Sequence, residues 1–273
     1  MRTNKIISAF TNAYALVRPD NLLQISLFRN AYVFAYFHYK KLFEDPFWRL
    51  ARQQPQLFSD GDILDIGANI GYTACIFASA MKSGSKVFAF EPDRLSYSIL
   101  QQVVQRKRLV GSIETINAAV GNSDGVIEFW HNERHPADHR IATEQFRERA
   151  PADVKFSSIP VTTIDTFVAN RGLQNISFIK VDVQGYELAV CEGMERTLER
   201  FPKLCVCVEY CPSAMTELGF EPPTLLEFFR ARGYSVYSLA GANLMLLTDQ
   251  NSLEASSKNV DYVDVLFTKR ALS

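Results

Sequence analysis

Short apolar runs alternate with helical patterns along most of the chain, starting near residue 62. The apolar runs are DILDIG (62–67), KVFAFEP (86–92), IETINAAVG (113–121), SFIKVDVQG (177–185) and KLCVCVEYC (203–211). Helical patterns follow several of these runs, including one predicted over 186–201, and Asp93 is placed to cap the helix predicted over 93–109. Strands that alternate with helices predict a parallel sheet with helices on both faces.

The two ends of the chain show different patterns. YSVYSLAGANLMLLTD (234–249), with a turn at Gly241, and YVDVLFTKR (262–270) predict an antiparallel edge. GVIEFW (125–130) and SSIPVTTIDTFV (157–168) read as an inserted pair of extended segments. Residues 1–58 lack alternation and read as a helical N-terminal extension, which leaves 59–273 as the main domain. The fold class is therefore α/β, a doubly wound, mostly parallel, Rossmann-like sheet.

Composition and charge narrow the range of partners. A formal net charge of −1 provides no global field for nucleic acid, so nucleic acid is not expected as a partner. Five cysteines in 273 residues favour free thiols and a cytoplasmic protein. The aromatic stretch AYVFAYFHY (31–39) is shorter than the roughly 20 apolar residues of a membrane span. It suits packing on the main domain, a homodimer contact or, as an alternative, a membrane surface.

The turn after the first strand discriminates between nucleotide ligands. Gly67 and Gly71 allow positive φ and close approach of a ligand, but the G-x-G-x-x-G pattern of dinucleotide sites is missing. Asp65 would repel a pyrophosphate and suits an ammonium, which S-adenosylmethionine carries. Glu91 ends the second strand, at the distance along the chain where an acid meets ribose hydroxyls, a clue that NAD would share.

Five segments in order resemble the FkbM-type family of class I S-adenosylmethionine-dependent methyltransferases. They are DIGANIGYT (65–73), FEPD (90–93), NAAVG (117–121), PVTTIDTF (160–167) and IKVDVQGYELAVCEG (179–193). The resemblance covers about residues 60–210 and implies the class I methyltransferase fold with S-adenosylmethionine as cofactor. Gln184 departs from it, because many relatives carry glutamate there.

The resemblance also implies roles for individual residues. The turn residues facing the methionine moiety would be Asp65, Gly67, Asn69 and Gly71. Glu91 would accept the ribose hydroxyls, and Asn117 and Ala118 would lie beside the adenine. Asp182 would face the region of methyl transfer.

The proton acceptor has candidates in two places. The first is the end of the fourth strand, where Asp182 and Glu187 lie; their alternative roles are capping the following helix and stabilising its first turn. Glu209, at the end of the fifth strand, is placed to hydrogen-bond an acceptor hydroxyl. The polar stretch 131–154 is a candidate lid loop, in which His139 or Asp138 would act as base and Arg140 would contact the acceptor; a solvated surface loop is the alternative.

Metal binding is not expected. Three histidines are spaced four apart, but Pro136 disfavours the helix that would align them: His131, His135 and His139. Three further candidates, Cys205, Cys207 and Cys211, are read as core residues and not as a zinc site.

Two functions follow from these observations. The first is an S-adenosylmethionine-dependent O-methyltransferase whose acceptor is a hydroxyl of a sugar, glycan or secondary metabolite. The second is a non-catalytic scaffold of the same fold that acts through its N-terminal aromatic helices. The intact turn, Glu91 and Asp182 favour catalysis.

Overall fold

The computed structural model describes residues 26–44, 46–130, 139–150, 156–240, 243–248 and 261–272. The strands are β1 (Asp62–Ile66), β2 (Val87–Phe90), β3 (Ile113–Ile116), β4 (Ala119–Val120), β5 (Gly125–Trp130), β6 (Arg140–Ile141), β7 (Phe156–Thr162), β8 (Ile176–Val181), β9 (Cys205–Tyr210), β10 (Ser235–Ala240), β11 (Asn243–Leu246) and β12 (Val263–Thr268). The α-helices are α1 (Ser26–Tyr39), α2 (Phe47–Gln53), α3 (Tyr72–Ala80), α4 (Arg94–Arg106), α5 (Glu144–Arg149), α6 (Ile164–Arg171), α7 (Glu187–Glu192), α8 (Glu195–Arg200), α9 (Pro212–Glu217) and α10 (Pro222–Arg230). A π-helical segment, Lys40–Glu44, continues α1.

The main sheet has eight strands in the order β11-β10-β12-β9-β8-β1-β2-β3. Strands β9, β8, β1, β2 and β3 are mutually parallel, whereas β12, β10 and β11 form the antiparallel C-terminal edge. All six residues of β8 are buried, as expected for a central parallel strand covered on both faces. The predicted fold class is confirmed.

A second sheet explains why one predicted strand divides. The run 113–121 forms β3 and then β4, and β4 belongs to a four-stranded sheet in the order β4-β7-β5-β6. The predicted pairing of the two inserted segments is confirmed, since β5 and β7 are antiparallel neighbours. The second of these segments ends earlier than expected, because the Thr163 hydroxyl accepts the Thr166 amide at 3.0 Å and caps α6.

The helix expected over 186–201 is interrupted. Gly193 separates α7 from α8, and a Cβ at this position would lie 2.1 Å from the Gly121 carbonyl oxygen. The close approach of a second backbone therefore breaks the helix. A further helix, α9, begins at Pro212 and was not anticipated, although proline suits the first helical turn.

The stretch 131–154 is not a continuous loop. Residues 131–138 and 151–155 lie outside the described residues, but β6 pairs with β5 and α5 follows it. Helix α5 is capped by Thr143, whose hydroxyl accepts the Phe146 amide at 3.2 Å. The described part of the predicted lid therefore consists of regular structure.

The second half of the predicted N-terminal extension belongs to the core. Four of its side chains are at most 2% exposed: Phe47, Leu50, Leu57 and Phe58. They share a hydrophobic cluster with Phe77 and Phe178, and the Phe47 and Phe77 rings meet edge to face at 5.5 Å. No helix among the described residues combines the length and apolarity required to cross a bilayer.

Candidate active site

A cleft opens at the carboxyl ends of the parallel strands. Its lining residues come from the carboxyl ends of β1, β2, β8 and β9, from β4, β5 and β6 of the second sheet, from α1 and the segment that continues it, and from the start of β12. They include Tyr36, Lys40, Gly67, Asn69, Glu91, Ala118, His139, Lys180, Asp182, Gln184, Glu209, Tyr262 and Asp264. The carboxyl edge of such a sheet is where ligands bind in this architecture.

The turn after β1 supplies the floor of the cleft. Gly67 has φ +79°, and a Cβ there would lie 1.8 Å from the Asp182 carbonyl oxygen, so only glycine lets this turn meet the end of β8. Asn69 also has positive φ and lines the cleft. Gly71 serves packing instead, since a Cβ there would lie 2.5 Å from Leu100 Cδ1.

Asp65 lies beneath this turn and not on the cleft surface. It is fully buried, and one carboxylate oxygen accepts the Thr73 hydroxyl at 2.7 Å. The other oxygen, Oδ1, is 3.9 Å from Lys180 Nζ and has no hydrogen-bond partner among the described residues. Burial raises the pKa of Asp65, and the charge of Lys180 counteracts part of that effect.

Glu91 is held rigidly at the end of β2. Its Oε2 accepts the Asn69 amide at 2.8 Å, and its Oε1 accepts the Asp93 amide at 2.8 Å. Burial raises the pKa of Glu91 to about 8, although these hydrogen bonds oppose the shift. Each oxygen keeps a lone pair for a second donor, so the carboxylate can receive two neighbouring hydroxyls.

Asn117 braces the segment after β2. Its side-chain amide donates to the Glu91 carbonyl at 2.8 Å and to the Pro92 carbonyl at 3.1 Å. Ala118 lines the cleft, whereas Asn117 is not among the lining residues. Of this predicted adenine-side pair, only Ala118 is therefore placed to touch a ligand.

The end of β8 carries a charged network that includes one residue missed by sequence reasoning. Lys180 Nζ donates to Asp182 Oδ2 at 2.9 Å. Burial favours a neutral amine, but the charges of Asp182 and Asp65 outweigh it and raise the pKa of Lys180. Burial would also raise the pKa of Asp182, yet Lys180 lowers it, so both groups are ionised at neutral pH.

Gln184 joins two carboxyl groups that lie on neighbouring strands. Its side-chain amide is 3.1 Å from Asp182 Oδ1 and 3.2 Å from Glu209 Oε2, and its φ of +57° places it there. Burial, together with the charges of Asp182 and Asp264, raises the pKa of Glu209 well above its usual value. The network therefore holds two carboxyl groups whose pKa values are shifted in opposite directions, that of Asp182 downward and that of Glu209 upward.

Glu187 supports the turn that carries Gln184. It is fully buried, and its Oε1 accepts the amides of Val183 at 3.0 Å and Gly185 at 3.1 Å. Burial raises the pKa of Glu187 to about 7. These contacts give it a positioning role.

His139 lies on the far side of the cleft from this network. Its Nε2 is 3.8 Å from Asp93 Oδ2, and Asp93 also caps α4 by accepting the Ser96 amide at 2.8 Å. His139 thus contacts the segment that follows β2, and β1 separates β2 from β8 in the sheet. The geometry therefore favours a role beside Glu91 over a role as base next to Asp182.

Of the other candidates, those that the structure describes do not line the cleft. Arg140 Nη1 is 2.6 Å from Glu217 Oε2, so its charge is paired with a residue outside the cleft. Asp138, His131 and His135 lie outside the described residues. Within the described ranges, no three His, Cys, Asp or Glu side chains are close enough to hold a metal ion. Cys205 and Cys207 are fully buried, as expected for core residues.

Tyr36, Lys40, Tyr262 and Asp264 are also cleft residues that sequence reasoning did not select. Lys180 had a usable signal, since it lies two residues before Asp182 and therefore on the same face of the strand. Tyr36 and Lys40 had none, because α1 reaches the cleft only through tertiary packing.

The fold and site define a Rossmann-like α/β protein with a cleft bounded by carboxylates at the carboxyl edge of its main sheet. The family model of the Methyltransferase FkbM domain matches residues 65–236. The chain belongs to this family and is a methyltransferase.

Three curated proteins illustrate the relationship. Methyltransferase sdnD of Sordaria araneosa is 25% identical over 213 residues, which cover 68% of this chain and 78% of that protein. Hexuronic acid methyltransferase AglP of Haloferax volcanii is 30% identical over 147 residues, covering 51% and 53% of the two chains. 2-O-methyltransferase NoeI of Sinorhizobium fredii is 29% identical over 152 residues, covering 52% and 60%. The match thus spans little more than half of AglP and NoeI.

Proposed function

We propose that the protein is an S-adenosylmethionine-dependent O-methyltransferase acting on a hydroxyl of a small molecule or glycan. The observation that carries this proposal is the placement of Glu91 and Asp182 on either side of the Gly67 turn, at the carboxyl ends of β2 and β8. The names of the relatives AglP and NoeI, which refer to a hexuronic acid and to a 2-O position, support a hydroxyl-bearing acceptor.

The residues present fit the cofactor. Glu91 would accept the ribose hydroxyls, Ala118 would face the base, and Gly67 and Asn69 would face the methionine portion. Asp65 lies beneath this turn, where its Oδ1 has no hydrogen-bond partner among the described residues and is 3.9 Å from Lys180 Nζ. When bound, S-adenosylmethionine supplies an electrophilic methyl group; the chain's own residues align the acceptor and receive its proton.

Asp182 is the proposed proton acceptor. Its carboxylate stays ionised because Lys180 donates to Oδ2, while Oδ1 faces Gln184 and the cleft. Glu209, whose pKa is raised by burial, is placed to form a hydrogen bond with an acceptor hydroxyl. A positioned base of this kind contributes roughly 10²–10⁴-fold to rate.

The compartment and oligomeric state remain part of the proposal. All five cysteines are free thiols, which suits the reducing cytoplasm. We also propose that no nucleic acid is bound, and that a homodimer, if formed, uses the N-terminal helices. The division into a 1–58 extension and a 59–273 domain is tested by truncation below.

Calorimetric titration tests the cofactor first. Wild type should bind S-adenosylmethionine and S-adenosylhomocysteine but not NAD, and Glu91→Ala should weaken both sulfur ligands by at least tenfold. Glu199→Ala, which changes an exposed glutamate on α8, is the matched control. Absence of binding to wild type would favour the scaffold function, and tight NAD binding would overturn the cofactor assignment.

A further inference from the structure

A second concave site lies outside the active-site cleft, between α1 and α4. This groove has a volume of about 650 Å³ and is lined by Arg29, Asn30, Val33, Phe34, Phe37, His38, Lys41, Tyr72, Ile99, Gln102, Val103, Arg106 and Lys107. Neither the family relationship nor the proposed chemistry gives it a role.

The charge of the groove differs from that of the whole chain. Four of its lining residues are cationic, namely Arg29, Lys41, Arg106 and Lys107, and none of the described lining residues is acidic. The two segments that form it, residues 26–43 and 94–113, contain no aspartate or glutamate. Since the net charge of the chain is −1, positive charge is concentrated on this face.

Large apolar side chains are exposed on and next to the two segments that form the groove. Phe34 is 66% exposed on α1, Leu42 is 64% exposed just after it, and Val110 is 66% exposed just after α4. Inside the groove, Lys107 Nζ lies 5.0 Å from the centroid of the Phe37 ring, which keeps the cation beside an apolar wall. The Nε of Arg29 is buried and has no hydrogen-bond partner among the described residues.

We propose that this groove docks the protein on an anionic lipid bilayer. The cations would contact lipid phosphates, and Phe34 and Leu42 would enter the headgroup region. Basic residues beside exposed aromatic and aliphatic side chains are the combination used by helices that lie in a membrane interface. A small free anion would satisfy the cations but would leave these apolar side chains in water. An acidic protein is the competing occupant that the test must exclude.

Docking through this groove bears on the active site because α1 contributes to both. Tyr36 and Lys40 line the cleft, whereas Phe34, Phe37, His38 and Lys41 line the groove. The surface that would face the lipid and the wall of the cleft are therefore parts of one continuous helical segment. The proposal itself does not depend on the methyl acceptor.

Vesicle co-flotation of the full chain tests the proposal. Wild type should float with phosphatidylcholine vesicles that contain phosphatidylglycerol, but not with phosphatidylcholine alone, and high salt should weaken binding. Arg106→Glu with Lys107→Glu should weaken binding tenfold or more, because both side chains are exposed and line the groove. Phe34→Ser with Leu42→Ser should also weaken vesicle binding, although this pair leaves the net charge unchanged.

The control pair is Arg200→Glu with Lys203→Glu. It makes the same change in net charge at two exposed sites, one at the end of α8 and one just after it. The neighbouring Leu198 and Phe201 belong to a different hydrophobic cluster from the one that contains Ile99 and Val103 of the groove. This pair should bind like wild type, and circular dichroism should show every variant folded. Equal binding to neutral vesicles, equal loss in the control pair, or no effect of the Phe34 and Leu42 changes would overturn the proposal. Capture by an acidic peptide with no vesicle binding would do so as well.

Discussion

Lys180 organises the charges at the end of β8, although only the carboxylates around it stood out in the sequence. Its ammonium donates to Asp182 at 2.9 Å and lies 3.9 Å from Asp65. The lysine therefore compensates the acid beneath the turn and the acid in the cleft. Removing one partner of a buried ion pair leaves the other charge uncompensated, so each charge in the pair requires its partner.

Asp182→Asn tests the proposed base. Because asparagine cannot take a proton, the turnover number should fall by roughly 10²–10⁴-fold. Calorimetric affinity for S-adenosylhomocysteine should change by only a few fold, since the ribose contacts lie at Glu91.

His139→Ala is the comparison for that experiment. The imidazole contacts Asp93 on the β2 side, so its removal should affect cofactor affinity more than the turnover number. The opposite result, a large loss of turnover in His139→Ala and little in Asp182→Asn, would transfer the base to His139.

Glu91 should make the ligand-free protein less stable as pH rises. Its pKa is about 8 in the folded state, above the ordinary value of 4.5, because burial opposes the charge. The stabilisation from the protonated form is complete below the unfolded pKa and is lost as pH rises through about 8. Thermal unfolding across this window should therefore show a falling midpoint.

Glu91→Gln should flatten that pH dependence. The variant should match wild type near pH 5 and exceed it above the folded pKa of about 8, while Glu199→Gln should follow wild type throughout. A slope unchanged in Glu91→Gln would mean that other buried acids, such as Glu187, cause the dependence.

At the scale of elements, the β1 turn and the end of β8 form one unit. The Asp182 amide donates to the Ile66 carbonyl at 3.1 Å, and Gly67 leaves no room for a side chain against the Asp182 carbonyl. The turn therefore fixes the position of the proposed base as well as the floor of the cofactor site.

Gly67→Ala should destabilise the protein more than Gly233→Ala. The two glycines have nearly equal φ, +79° and +77°, so each substitution carries similar backbone strain of about 1–3 kcal/mol. A Cβ at Gly233 meets nothing within 4 Å, whereas one at Gly67 overlaps the backbone of β8. Urea unfolding would measure the difference, and equal losses would argue against this close approach.

At the scale of the whole molecule, residues 47–58 contribute side chains to the core of the main domain. Phe47, Leu50, Leu57 and Phe58 pack in the cluster that also contains Phe77 and Phe178. Burying each such side chain contributes about 1.5–3 kcal/mol, so the four together approach the total stability of a typical domain, about 5–15 kcal/mol.

Two truncations test this arrangement. A chain starting at residue 59 should not fold, because it lacks all four of these side chains. A chain starting at residue 46 should fold with a lower unfolding midpoint, since it keeps them and loses the cleft wall formed by Tyr36 and Lys40. Circular dichroism and thermal unfolding would distinguish the two, and a stable protein from residue 59 would restore the predicted boundary.

The parts of this architecture that could be predicted from the sequence are those that depend on local patterns. The apolar runs predicted β1, β2, β8 and β9, and the capping role of Asp93 is confirmed by its bond to the Ser96 amide at 2.8 Å. The predictions were wrong where distant segments come together. The helix predicted over 186–201 is interrupted at Gly193 because the Gly121 backbone lies against it. The third predicted strand divides because its second part, β4, belongs to the second sheet.

The sequence alone determined the sheet, the glycine turn and the acids at the strand ends, because periodicity and residue type are local properties. Only the tertiary structure decided what those acids do. Asp65 is buried beneath the turn, Asn117 braces a backbone segment, His139 joins Asp93, and Lys180 sets the ionisation of Asp182. Each of these outcomes depends on burial and on partners brought together from distant parts of the chain, which no local pattern records.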